Sequence, residues 1–144
     1  MKTSRRLIAV AASAAALAAS GTLLAGPASA SSPAAASAPY NGVCGTGYQV
    51  IASTPVASVG VTYVTWSATD DQVCAVTLRN KPGAREFVEV TLDTWPESTH
   101  PVRDSGSFTT YAGPVYNPTP APGQCLSWSG SIDIYYGGGN GNCA

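Results

Sequence analysis

The clearest pairing of hydrophobic and polar positions lies at residues 59–79, which predict a β-hairpin with a cysteine in one strand. With Ala68-Thr69-Asp70-Asp71 as the turn, Val61 faces Leu78, Tyr63 faces Val76 and Thr65 faces Cys74 on one side of the ribbon. That side is expected to be the core face. The other side carries Thr62 with Thr77, Val64 with Ala75 and Trp66 with Val73, polar at the open end and apolar near the turn. A sheet that hides one face and part of the other follows.

Weaker alternation over residues 48–53 predicts a short strand that Pro55 ends. Asn80-Lys81-Pro82-Gly83 has turn chemistry, with proline in the second position and a glycine able to take a positive φ. Residues 86–92 alternate well, with Val88, Val90 and Leu92 on one face and Phe87, Glu89 and Thr91 on the other. Asp104-Ser105-Gly106 is expected to turn the chain, residues 107–112 to form a polar-aromatic strand, and residues 113–123, with four prolines, to cross the surface in extended form. Strand character resumes over residues 124–136, with Ile132, Ile134 and Tyr136 on one face, before a flexible glycine-rich loop to Cys143. No stretch from Tyr40 onward has a helical period. The expectation is an all-β fold, a small disulfide-stapled antiparallel sandwich or barrel.

Residues 1–30 carry the three parts of a secretory signal: Lys2, Arg5 and Arg6, an apolar run over residues 7–26, and Ala28-Ser29-Ala30 for cleavage. Pro27 follows Gly26 where a lipid-bearing cysteine would stand, so no lipid anchor is expected, and no membrane contact after cleavage. Residues 31–39, all alanine, serine and proline, read as a disordered spacer, and residues 40–144 as one domain. The exported part holds four basic residues against eight acids, a formal charge of −4, which gives no footprint for nucleic acid. All four cysteines, Cys44, Cys74, Cys125 and Cys143, lie there and read as two disulfides. Of three possible connectivities, Cys44 with Cys74 and Cys125 with Cys143 closes the shortest loops and is favoured. The cysteines are too scattered for paired metal ligands, and no metal or cofactor is expected.

Candidate chemistry is sparse. His100 with Ser98 or Ser105 and Asp104 or Asp93 can be written as a hydrolase triad, but no G-x-S-x-G turn supports it. Paired carboxylates for glycoside hydrolysis would need a tertiary pairing such as Asp104 with Asp133. The aromatic set, Trp66, Trp95, Trp128, Tyr111, Tyr116, Tyr135 and Tyr136, can fill a core or stack on sugar rings. Trp95 and Tyr116, in proline-bounded stretches, are the expected exposed members.

Tyr40-Asn41-Gly42, Cys44-Gly45, Gly47-Tyr48, Arg79-Asn80 and Pro82-Gly83 resemble the spore-associated protein A family of filamentous actinobacteria. The run from Asp104-Ser105-Gly106 through Tyr111-Ala112-Gly113-Pro114-Val115 carries the strongest resemblance, continued by Trp128-Ser129-Gly130 and Cys143. The resemblance implies a small secreted protein of the spore or cell surface and brings no catalytic residues. The chain departs from the family pattern in its longer spacer and at residues 93–101. The expected function is thus non-enzymatic, with spore or cell-wall components as partners and Trp95, Tyr111 and Tyr116 as candidate contacts. A polysaccharide or cell-wall binding module comes second, and a small hydrolase or enzyme inhibitor third.

Overall fold

The computed structural model describes residues 37–96 and 101–144. The signal, most of the spacer, Ser98 and His100 lie outside the described residues. Among the described residues eight strands are formed: β1 (Gln49–Val56), β2 (Gly60–Ser67), β3 (Gln72–Arg79), β4 (Glu86–Trp95), β5 (Val102–Phe108), β6 (Tyr111–Pro118), β7 (Cys125–Ile132) and β8 (Tyr135–Gly141). There is no helix among the described residues. Two four-stranded sheets, ordered β1-β2-β3-β6 and β5-β4-β7-β8 and antiparallel throughout, pack face to face. The fold is an all-β sandwich.

The β2–β3 hairpin has the expected register, with Val61 opposite Leu78, Thr65 opposite Cys74 and Trp66 opposite Val73. Its turn is pinned by Ser67, whose hydroxyl donates to Asp70 Oδ2 at 2.9 Å and accepts from the Asp70 amide. Asp71 takes a φ of 49°, which aspartate tolerates better than most side chains.

The face that meets the second sheet is the opposite of the expected one. Val64, Val73 and Ala75 join Val56, Ala112 and Val115 against Val88, Val90, Leu92, Leu126, Trp128 and Ile132 of the other sheet. Thr62 and Thr77 are fully buried on this side, because their hydroxyls bond to each other at 2.9 Å and need no water. Gly130 of β7 makes room for them: a Cβ there would stand 1.9 Å from Thr62 Oγ1 and 2.4 Å from Thr77 Oγ1. The Val61–Tyr63–Thr65 side lies under a separate covering, the strap of residues 37–48.

Four further expectations are corrected, and each concerns a strand at a sheet edge. β1 runs through Pro55 to Val56, since an edge position leaves the missing amide donor facing outward. Asp104-Ser105-Gly106 lies inside β5, where the Asp104 carboxylate accepts from the Gly113 amide at 2.7 Å and ties β5 to β6. Residues 111–118 are strand β6 despite Pro114 and Pro118. The glycine-rich tail is strand β8, whose inward positions Gly137, Gly139 and Gly141 are free of side chains. A Cβ at Gly137 would lie 2.1 Å from the Pro55 carbonyl oxygen, and one at Gly139 would lie 2.8 Å from the Trp128 ring.

The connection after β3 is a loop rather than a tight turn, and Gly83 keeps a negative φ. Buried Arg79 holds it: Nη1 donates to the carbonyls of Ala84, Phe108 and Thr109, and Nη2 pairs with Glu86 at 2.9 Å. The two disulfides are Cys44–Cys74 and Cys125–Cys143, the pairing that closes the shortest loops.

Candidate binding surface

The outer faces of the two sheets differ. On the β1-β2-β3-β6 sheet, the strap of residues 37–48 lies across β2, β3 and β6. Ala38 donates its amide to Asn80 Oδ1 and accepts from the Tyr63 hydroxyl at 2.8 Å, so the folded unit includes part of the expected spacer. Tyr40 packs on Tyr63 with ring centroids 5.7 Å apart, and the Tyr40 hydroxyl accepts from the Cys44 amide. Cys44 is bonded to Cys74 in the middle of β3, and its carbonyl accepts from the Tyr116 hydroxyl at 3.1 Å. Tyr48 sits edge-on to Tyr116 and donates to Gln72.

Burial, reinforced by neighbouring Asp70 and tyrosine hydroxyls, raises the pKa of both Tyr48 and Tyr116 above the ordinary tyrosine value. Both therefore stay neutral and keep donating below about pH 10. Tyr116 is 39% exposed, but it serves to hold the strap.

The β5-β4-β7-β8 sheet has no such covering among the described residues. Strict alternation in β4 and β7 sends Val88, Val90, Leu92, Leu126, Trp128 and Ile132 inward. Phe87, Glu89, Thr91, Asp93 and Trp95 of β4, and Ser127, Ser129 and Ser131 of β7, are left on the outer face. Arg103 on β5 stands beside Thr91 and pairs with the Glu89 carboxylate. Thr91 and Ser129 share a hydroxyl hydrogen bond of 2.6 Å.

On the far edge, the Asp133–Ile134 turn shifts the alternation by one, so Tyr136 pairs with Ser131 and faces outward, opposite to Ile132. The expected shared face of Ile132, Ile134 and Tyr136 is therefore not formed, and Ile134 stands at the turn, 82% exposed. The Tyr136 ring folds down over Gly138: a Cβ at that glycine would meet the phenol oxygen at 2.6 Å. Between this ring and Arg103 lies a depression of about 320 Å³, lined by Thr91, Asp93, Pro101, Ser127 and Ser129.

The three expected contact residues are not brought together. Trp95 ends β4 on this open face, 59% exposed, opposite Cys125. Tyr116 and half-buried Tyr111 belong to β6 of the other sheet, Tyr111 opposite Leu78. Sequence reasoning missed Arg103, Asp93, Ser127 and Ser129 as surface neighbours, although the alternation of Ser127, Ser129 and Ser131 with Leu126, Trp128 and Gly130 carries the signal.

Chemically, this face offers hydroxyl groups, the Arg103–Glu89 ion pair and exposed rings. Asp104 and Asp133 are two strand spacings and three residues apart, about 14 Å, beyond the separation that paired carboxylates use in glycoside hydrolysis. Ser105 lies on β5 opposite Glu89. Among the described residues no three His, Cys, Asp or Glu side chains gather as a metal site would need.

These features define a class: a two-disulfide β-sandwich with one sheet strapped over and the other presenting an open, hydroxyl-bearing face. No family model and no solved structure matches the chain. It is 39% identical over 112 residues to spore-associated protein A of Streptomyces coelicolor, across 78% of this chain and 71% of that protein. The chain belongs to the spore-associated protein A family.

Proposed function

We propose that this protein is exported and acts without catalysis as a component attached to the spore or cell surface. Kinship with a protein named for spore association carries the reading. The placement of the charged groups supports it: Arg79 braces two loops, Asp70 caps a turn, and Asp104 ties β5 to β6. These charges hold the fold, and the open face is left with groups suited to contact. A polysaccharide or cell-wall binding module is the second reading, favoured by the exposed Tyr136 and Trp95 beside a hydroxyl-rich strand.

The test is sedimentation of the oxidised exported protein with washed spores and purified cell walls. Retention through washes at moderate salt is the expected result, because few charges are available to drive attachment. Protein left wholly in the supernatant overturns the surface reading. Mass spectrometry of the culture filtrate should find a chain beginning at Ser31, and a retained signal would refute export by cleavage.

A further inference from the structure

We propose that the depression between Tyr136 and Arg103 is a binding site for an uncharged polysaccharide; this rests on the second reading above and locates its site. The first support is the ring. Tyr136 is 68% exposed and only the hydroxyl end of its ring lies over Gly138, so most of the phenol is open to solvent. A flat apolar surface of that kind suits the C–H face of a pyranose.

The second support is the floor. Ser127 and Ser129 on β7 and Thr91 on β4 place hydroxyls beside the ring; Thr91 and Ser129 bond each other, so that pair keeps one O–H to donate and lone pairs to accept, and Ser127 adds a further hydroxyl, as sugar hydroxyls require. Arg103 adds donors at the far side, already oriented by Glu89, and Asp93 adds acceptors. Large side chains at the three hydroxyl positions would fill the depression.

Charge selects among polymers. Arg103, the one cation among the described residues that line the depression, is already paired with Glu89, so a phosphate- or uronate-bearing chain finds no unpaired cation there and a neutral glycan needs none. Topology supports a chain rather than a single sugar. Tyr136 and Arg103 stand on the two edge strands, three strand spacings apart, about 14 Å, and no further strand of the sheet walls either end. A volume of about 320 Å³ is at the small end for a ligand pocket, which fits one or two rings held within a longer polymer.

The experiment measures binding of the oxidised exported protein to insoluble cellulose and chitin and to soluble starch and β-1,3-glucan, with polygalacturonate as the anionic comparison. Wild-type protein should bind at least one neutral glycan and bind polygalacturonate more weakly. Tyr136→Ala should weaken that binding by about tenfold, while Tyr136→Phe should stay within about threefold, because the ring is kept. The position is exposed, and near-UV circular dichroism checks that both variants fold.

Glycan binding that is unchanged in Tyr136→Ala overturns this site and leaves the polysaccharide reading standing. Failure to bind any of the four neutral glycans, with sedimentation on spores or walls intact, overturns both and leaves the surface reading. Tighter binding to polygalacturonate than to every neutral glycan overturns the charge argument and with it the proposal.

Discussion

The buried hydroxyl pair Thr62–Thr77 offers a quantitative test of how the two sheets are joined. Both residues are fully buried beneath Gly130, and each hydroxyl has the other at 2.9 Å. Thr62→Val keeps the shape of the side chain but leaves the Thr77 hydroxyl without its partner in a dry interior, a loss of about 1–3 kcal/mol. Thr77→Val has the same consequence for Thr62. The double variant removes both polar groups and keeps both shapes, so its cost should be below about 1 kcal/mol. The singles should therefore sum to far more than the double. Urea unfolding of oxidised protein measures the cycle, and each kcal/mol should move the thermal midpoint by about 4–8 °C in a domain of this size. Additive costs, within about 0.5 kcal/mol, would refute the claim that the hydroxyls satisfy each other.

Two further outcomes concern the strap. Replacing Cys44 and Cys74 together with serine opens a loop of 30 residues, which the chain-entropy relation values at about 3.6 kcal/mol; denaturant unfolding checks this, and a loss under about 1 kcal/mol would mean that the tyrosines alone hold the strap. Raised pKa values at Tyr48 and Tyr116 mean that the folded protein favours their protonated forms, so this contribution is complete below about pH 10 and is lost as pH climbs through the raised values. Near-UV circular dichroism followed with tyrosinate absorbance should show the strap signal changing only above about pH 10, and a change near neutrality would contradict the assignment.

What could be read from the sequence follows a physical division. The hairpin register and the faces of β4 were readable because β2, β3 and β4 are interior strands with regular packing on the sandwich. The strands most misread are edges: β1 with Pro55, β5 with Asp104-Ser105-Gly106, β6 with Pro114 and Pro118, and β8 with its glycines, whereas interior β4 was cut short only by its last three residues, Asp93 to Trp95. An edge strand keeps one side of its backbone unpaired, so it tolerates the residues that punctuate loops elsewhere. The inverted hairpin face has a different cause. Both sides of β2 and β3 are buried, and a local pattern cannot say which burial comes from a second sheet and which from a strap. The open depression was hidden for a third reason: Tyr136 reaches its place only after the Asp133–Ile134 turn changes the phase of alternation.

The same contrast bears on function. β3 is buried at every position from Val73 to Arg79, whereas β4 alternates buried with half-buried residues over most of its length. Continuous burial is the mark of a strand covered on both faces, and alternation that of a strand with one face left to water. The motifs that tie the chain to its family fall largely on the covering devices: Tyr40, Cys44 and Tyr48 build the strap, and Asp104 with Gly113 locks β5 to β6. Arg103, Thr91 and Tyr136 lie outside those motifs, and of the depression's floor only Ser129 falls within one. A scaffold that closes one sheet by disulfide and tyrosine contacts can therefore vary the open sheet without unfolding, since the strap and the core make no use of those side chains. If the glycan site proposed above is present, differences in ligand between members of the family are expected on the outer face of β4, β5, β7 and β8.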